Sequence, residues 1–232
     1  MNKIIKLEDI EAEVYYKNIR NINLRISPPE GKVRISAPFR TTTETIYKFA
    51  CSKLSWIKKK RRMILESTSE SLQYINDETH YFMGEKYKLR IQKNNALTEV
   101  KLINNEIVLQ VPDEADSSKR QSILQDWYHL QLEMIIPPLI SKWESIMNVS
   151  VRRFSIRSMK TRWGSCTPKS RCIRFNLELV KRAPECIEYI VVHELVHLLE
   201  ASHNNKFKSL MDRFYPNWKL YRRELRSLQI KA

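Results

Sequence analysis

Glycine is nearly absent from this chain. Gly31, Gly84 and Gly164 are the only three in 232 residues. That excludes a glycine-rich phosphate loop and a dinucleotide fingerprint, which need several glycines close together so that backbone can approach phosphate. Any phosphate chemistry would fall to arginine, lysine or a metal. Cysteine is scarce as well, and Cys51, Cys166, Cys172 and Cys186 form no C-x-x-C pair. A reduced, cytoplasmic protein is the simplest expectation. Cys166 and Cys172 rank behind the histidines as zinc ligands. No apolar run approaches the ~20 residues of a membrane span. The N-terminus, MNKIIKLEDIEAEVYY, has no apolar core of a signal peptide. No membrane partner is expected, and the oligomeric state is open.

Acidic side chains are in deficit, and unevenly so. Residues 152–232 hold 18 basic and 7 acidic side chains, net +11, whereas residues 1–151 hold 23 and 19, net +4. An excess of that kind suits an anionic partner such as nucleic acid, a nucleotide or an acidic polypeptide, and it equally suits a solubilising surface. The run Lys58-Lys59-Lys60-Arg61-Arg62 reads as the solvated face of a helix. Hydrophobic residues make up 42% of the chain, enough for a buried core.

Histidine is rare but concentrated. Three of the five lie in eleven residues, at His193, His197 and His203. His193-Glu194-Leu195-Val196-His197 reads H-E-x-x-H. On a helix the two histidines project from one face about a turn apart, and Glu194 is rotated by about 100° from His193. Two imidazoles at that spacing can chelate zinc, while the glutamate reaches a water that the metal activates. Ile187, Ile190, Val191, Leu195 and Leu198 recur at helical steps and predict an amphipathic helix whose stripe lies away from the histidines. On a straight helix His203 would stand about 15 Å from His193. It joins the site only if the chain turns back near Glu200. Ser202, Asn204 and Asn205 are turn and capping residues suited to that. The metzincin pattern has glycine at that turn, and position 200 here is glutamate.

The remainder reads as α+β. Short strands alternate in the first forty residues, with a turn at Pro28-Pro29-Glu30-Gly31, and a helix follows from Thr41 to about Leu65. Strands return at Tyr87 to Ile91, Val100 to Ile103 and Ile107 to Val111, the last two joined by an Asn104-Asn105 turn. Asp116 or Ser117 caps a long helix to about Met147, with a kink expected at Pro137-Pro138. Strands at Val151 to Ser158 and Cys172 to Phe175 precede three helices near 185–201, 206–214 and 217–229. No internal repeat is visible. The expected division is a strand-rich N-terminal region with one long helix, residues 1–115, and a helical metal-binding domain, residues 116–232, with a soft boundary near 113–118.

Two strings carry a resemblance. Arg157-Ser158-Met159-Lys160-Thr161-Arg162-Trp163-Gly164-Ser165-Cys166 and Ile173-Arg174-Phe175-Asn176-Leu177, followed by Pro184, the H-E-x-x-H helix and Phe207, resemble the YgjP-like metal-dependent hydrolases, relatives of the SprT-like zincins. The similarity is dense from Arg157 to Trp218 and looser in the N-terminal half, where it includes Trp56-Ile57 and Gly84-Glu85. It implies a zincin-like catalytic domain with His193, His197 and His203 as zinc ligands and Glu194 as acid/base. Where relatives carry N-H-S before F-W, this chain has Ser202-His203-Asn204 and Phe207-Lys208.

Arg157, Lys160, Arg162 and Asn176 are candidate anion or substrate contacts, since guanidinium forks bind carboxylate or phosphate at two points. Beside zinc they could neutralise charge in a transition state. The same string suits a structural loop, with Trp163 in the core. The strand from Cys172 to Asn176 is expected as an exposed edge able to pair with a peptide. Three functions compete. The first is a zinc metallopeptidase acting on polypeptide. The second is a metal-dependent nucleoside triphosphate pyrophosphatase. The third is a basic nucleic-acid-binding protein with structural zinc, against which the intact Glu194 argues.

Overall fold

A computed structural model describes residues 3–27, 30–69, 72–94 and 97–227. The architecture is α+β, as expected. The chain divides into two compact units, Met1–Leu72 and Gln73–Ala232.

In the first unit, strands β1 (Lys3–Leu7), β2 (Ile10–Lys17), β3 (Asn23–Ser27) and β4 (Lys32–Pro38) form a sheet of order β1-β2-β4-β3. Alternation decides which face is inward: Ile10, Ala12 and Val14 of β2 and Val33, Ile35 and Ala37 of β4 are buried. Helices α1 (Thr43–Ser52) and α2 (Leu54–Ser69) supply Ile46, Ala50 and Ile57 to the same core. The single helix expected from Thr41 is therefore two. They part at Lys53, whose N–H bonds back to the Ala50 carbonyl. Pro28 and Pro29 of the expected turn lie outside the described residues. The basic run is anchored locally: Lys58 pairs with Glu8, and Arg61 Nε donates to the Gly31 carbonyl at 3.2 Å.

The second unit opens with β5 (Thr79–Phe82), β6 (Glu85–Lys93), β7 (Glu99–Ile103) and β8 (Glu106–Val111), in the order β5-β6-β8-β7. Both four-stranded sheets thus share one topology: two antiparallel hairpins joined by parallel pairing of the second strand with the fourth. The repeat is absent from the letters because alternation and a turn suffice to specify it, and the turn residues differ. Asn104-Asn105 makes the expected turn with φ of 46° and 67°. Met83-Gly84 makes another, with Gly84 at φ 88° and a Cβ there falling 3.0 Å from the Ala183 backbone.

Helix α3 (Ser117–Met147) is capped by Asp116, which accepts the Lys119 N–H at 2.7 Å, and it continues through Pro137 and Pro138. Beyond it come β9 (Arg153–Arg157), β10 (Gly164–Thr167) and β11 (Cys172–Asn176), in the order β10-β11-β9. So β11, expected as an edge, is central: it has β10 on one side and β9 on the other. Of the two edge strands, β9 was expected, while β10 escaped the sequence because Gly-Ser-Cys-Thr has no apolar alternation.

Helices α4 (Pro184–Val196), α5 (Asn205–Phe214) and α6 (Trp218–Ser227) complete the unit. Residues 228 and 229 of the expected last helix lie outside the described residues. The expected amphipathic stripe of α4 is not what the structure shows. Cys186, Ile187, Ile190, Val191, Val192, Leu195 and Val196 are all buried, because α3, α5, α6 and β10 pack around the helix. Lys142 and Trp143 of α3 both donate to Glu188 Oε1 of α4, at 2.7 and 2.8 Å. Among the described residues no helix is long and apolar enough to cross a membrane.

His80 of β5 is 2% exposed, with Nε2 2.8 Å from Glu78 Oε2. Burial holds its pKa below the ordinary value, and Glu78 only partly opposes this. In the unfolded chain the ring takes a proton as pH falls below about 6.5, and in the fold it resists. The contribution is therefore present above that pH and lost below it. Thermal unfolding should show His80→Gln losing less stability than wild type between about pH 7 and 5; equal losses would exonerate His80.

Candidate metal centre and active site

The site is built on the end of α4. His193 lies in its last turn, and His197 follows directly, still in helical conformation. The chain then turns, and Asn204 caps α5 by accepting the Phe207 N–H at 3.0 Å. That turn brings His203 back. The ring nitrogens of His193, His197 and His203 lie within 4.8 Å of one another, and they are the only group of three potential metal ligands among the described residues. Nε2 of His203 stands 3.0 Å from Nε2 of His193.

The turn works without glycine, since no residue from 197 to 205 needs a positive φ. Glu200 instead fixes it at both ends. Its carbonyl accepts from His197 Nδ1 at 3.2 Å, and its carboxylate accepts from the Ser202 hydroxyl at 3.1 Å. A carbonyl only accepts, so Nδ1 of His197 carries the proton and Nε2 is left as a free donor of electrons. Asn204 is as good a cap as serine would be. Phe207 is 1% exposed and lies 4.7–5.0 Å from all three imidazole centroids, an apolar floor beneath them.

Glu194 faces away from that floor toward β10. Glu194 is 4% exposed, with the backbone N–H of Cys166 near its carboxylate, and Oε2 is buried with no hydrogen-bond partner. Burial raises its pKa to about 8, partly offset by the positive charge of Arg162. His193 is driven the opposite way, to about 3, by burial first and then by His197 and His203. Neutral imidazoles are what metal coordination requires. The donor set fits a borderline-soft divalent ion such as zinc. Two nitrogens each ~2.05 Å from one tetrahedral zinc would be about 3.3 Å apart, close to the 3.0 Å found.

The chain matches the family model "YgjP-like, metallopeptidase domain" over residues 20–228. It belongs to the YgjP-like family. By that membership it is a metal-dependent hydrolase of the metallopeptidase type. No curated protein matches it. Among solved structures it is similar to the metallopeptidase zymogen abylysin of Pyrococcus abyssi, with 20% identity and a TM-score of 0.37 over 40% of this chain and 92% of that one. It is also similar to the metallopeptidase zymogen jannalysin of Methanocaldococcus jannaschii, with 22% identity and a TM-score of 0.35 over 40% and 94%.

In this YgjP-like chain the basic string is an exposed loop between β9 and β10. Arg157, Lys160 and Arg162 are solvent-facing. Asn176 has no exposure. Its Nδ2 donates to the carbonyls of Met159 and Arg162, both at 2.7 Å, and its Oδ1 accepts from the Met159 and Glu178 N–H groups. Its amide is thus spent on holding the loop. Trp163 is half-buried, under the Arg182 guanidinium at 5.1 Å, with Nε1 donating to the Leu225 carbonyl at 3.3 Å. Cys166 and Cys172 stay apart from the histidine cluster, with the Cys166 thiol pushed up to about 12 by burial.

Sequence reasoning missed three features. Tyr189 of α4 and Arg222 and Arg226 of α6 line a cavity of about 180 Å³ together with His193 and Glu194. The spacing of the two arginines, one helical turn, was the available signal. The Glu200 contacts were hidden behind its departure from glycine. Nothing in the sequence marks Gly164 as a packing position, yet a Cβ there would fall 2.6 Å from Glu194 Oε1 and 2.8 Å from its Cγ.

That last contact gives a prediction. Gly164→Ala should cost about 1–3 kcal/mol, the usual penalty for overfilling a packed site. Most of that cost should vanish in a Glu194→Ala background, where the clashing carboxylate is gone. A double-mutant cycle by urea unfolding measures this, and additive losses would place the strain elsewhere.

Proposed function

We propose that this chain is a zinc-dependent peptidase in which His193, His197 and His203 hold the metal and Glu194 is the general base. The observation that carries the reading is one constellation: three converging neutral imidazoles next to a buried carboxylate whose Oε2 has no partner. An unsatisfied buried carboxylate is costly, and a purely structural metal site has no use for one. A zinc ion there would polarise a carbonyl and bring the pKa of a water to about 7. Glu194 would take a proton on Oε2 and return it to the leaving amine. The Cys166 N–H near the carboxylate would steady it for both transfers. Arg162, whose charge Glu194 already feels, would steady charge building on the substrate. The nucleotide and nucleic-acid readings rest on the basic excess rather than on a contact, so the peptidase reading leads.

Two substitutions test the assignment. His203→Ala should lose bound zinc, as read by elemental analysis after dialysis, and wild-type retention would remove His203 from the ligand set. Glu194→Gln should keep zinc and the fold while hydrolysis of an unfolded polypeptide falls ~10²–10⁴-fold, the usual share of a general base. Undiminished turnover would require another base.

A further inference from the structure

We propose that the cavity between α4 and α6 is a substrate subsite for a carboxylate adjoining the scissile bond, held by Arg222 and Arg226; this rests on the peptidase reading. The cavity touches the catalytic end of α4 directly, since His193 and Glu194 form part of its wall. Its volume of about 180 Å³ is below the ~300–1,000 Å³ of drug-sized pockets and suits one side chain. Its apolar lining comes from Trp163, Ile190 and Leu225, which match the methylenes of such a chain.

The charge is on one side only. Arg222 and Arg226 are four residues apart on α6, so they share a face, and both line the cavity. Like charges at that spacing repel. Among the described residues no carboxylate lies within ion-pair distance of either guanidinium, although many surface cations elsewhere in the chain are paired. Arg222 rests instead on the Trp218 ring, 5.4 Å from its centroid, which orients the fork without neutralising it. Glu194 is the one acidic group in the wall, and its carboxylate is not within ion-pair distance of either arginine. Two unpaired forks over an apolar slot fit a carboxylate on a short aliphatic stem. That carboxylate comes either from a glutamate next to the cleaved bond or from the C-terminus of the peptide.

The experiment uses the zinc-loaded full chain and a peptide set. Glu, Gln, Leu or Lys is placed on each side of the scissile bond, each peptide being made with a free and an amidated C-terminus. A Glu over Gln preference of tenfold or more at one position identifies the side chain as the source, and an equal preference for free acid over amide identifies the terminus. Either preference should fall toward one in Arg222→Gln and in Arg226→Gln. Arg226 is exposed, so its replacement leaves the fold intact. In parallel, calorimetry on the metal-free protein should show glutarate binding that both variants weaken at least tenfold. Peptide cleavage with no preference for a carboxylate overturns the subsite and leaves the peptidase reading standing. No cleavage of any peptide, with glutarate still bound through the arginines, sinks the peptidase reading and keeps the carboxylate site. Pyrophosphate binding more tightly than glutarate would overturn the proposal in favour of a phosphate ligand.

Discussion

The rest of the second unit is arranged around one expensive group, the carboxylate of Glu194. A buried carboxylate with an unpartnered oxygen would ordinarily be removed or bonded. Here α4 is enclosed on nearly every face, which fixes the backbone that carries it. Gly164 then lets β10 come within contact of the side chain and brings the Cys166 N–H near the carboxylate. A side chain at position 164 would push the carboxylate off that place. The glycine that read as one letter of a string is the residue that leaves room for the Glu194 carboxylate.

How legible was this in the sequence? The histidine trio and the turn back to His203 were readable, because helical spacing and capping residues are local properties. The alternating strands of the first sheet, β6, β7 and β8 of the second, and the Asp116 cap were readable for the same reason, whereas the short β5 was not. The division after Leu72 was not, because it depends on which sheet packs with α3, and α3 lies against β7 and β8. The burial of α4 was missed as well. His193, Glu194 and His197 interrupt an otherwise apolar helix and mimic a polar face, though the surrounding elements enclose even Glu194. Asn176 looked like an anion contact and holds loop carbonyls instead, a distinction that only its neighbours decide.

The repeated sheet topology makes a related point. Each four-stranded sheet joins two hairpins by one parallel pairing, yet their turns are made by Glu8-Asp9 in one and by Met83-Gly84 and Asn104-Asn105 in the other. Several of these residues take positive φ without being glycine, which a chain with three glycines must accept. The strain is modest for asparagine and greater for Met83. Met83 is compensated by its N–H, which donates to the Val180 carbonyl at 2.8 Å, so the turn is tied to the segment that leads into α4.

The same economy governs the turn back to His203. A glycine after the second histidine would give freedom to the backbone; Glu200 gives constraint. One residue orients the His197 ring through its carbonyl and closes the loop through its carboxylate, with Lys206 of α5 near its other oxygen at 3.7 Å. The geometry that a pattern encodes by one residue type is reached here by another. The departure at position 200 therefore leaves the third histidine where the first two need it.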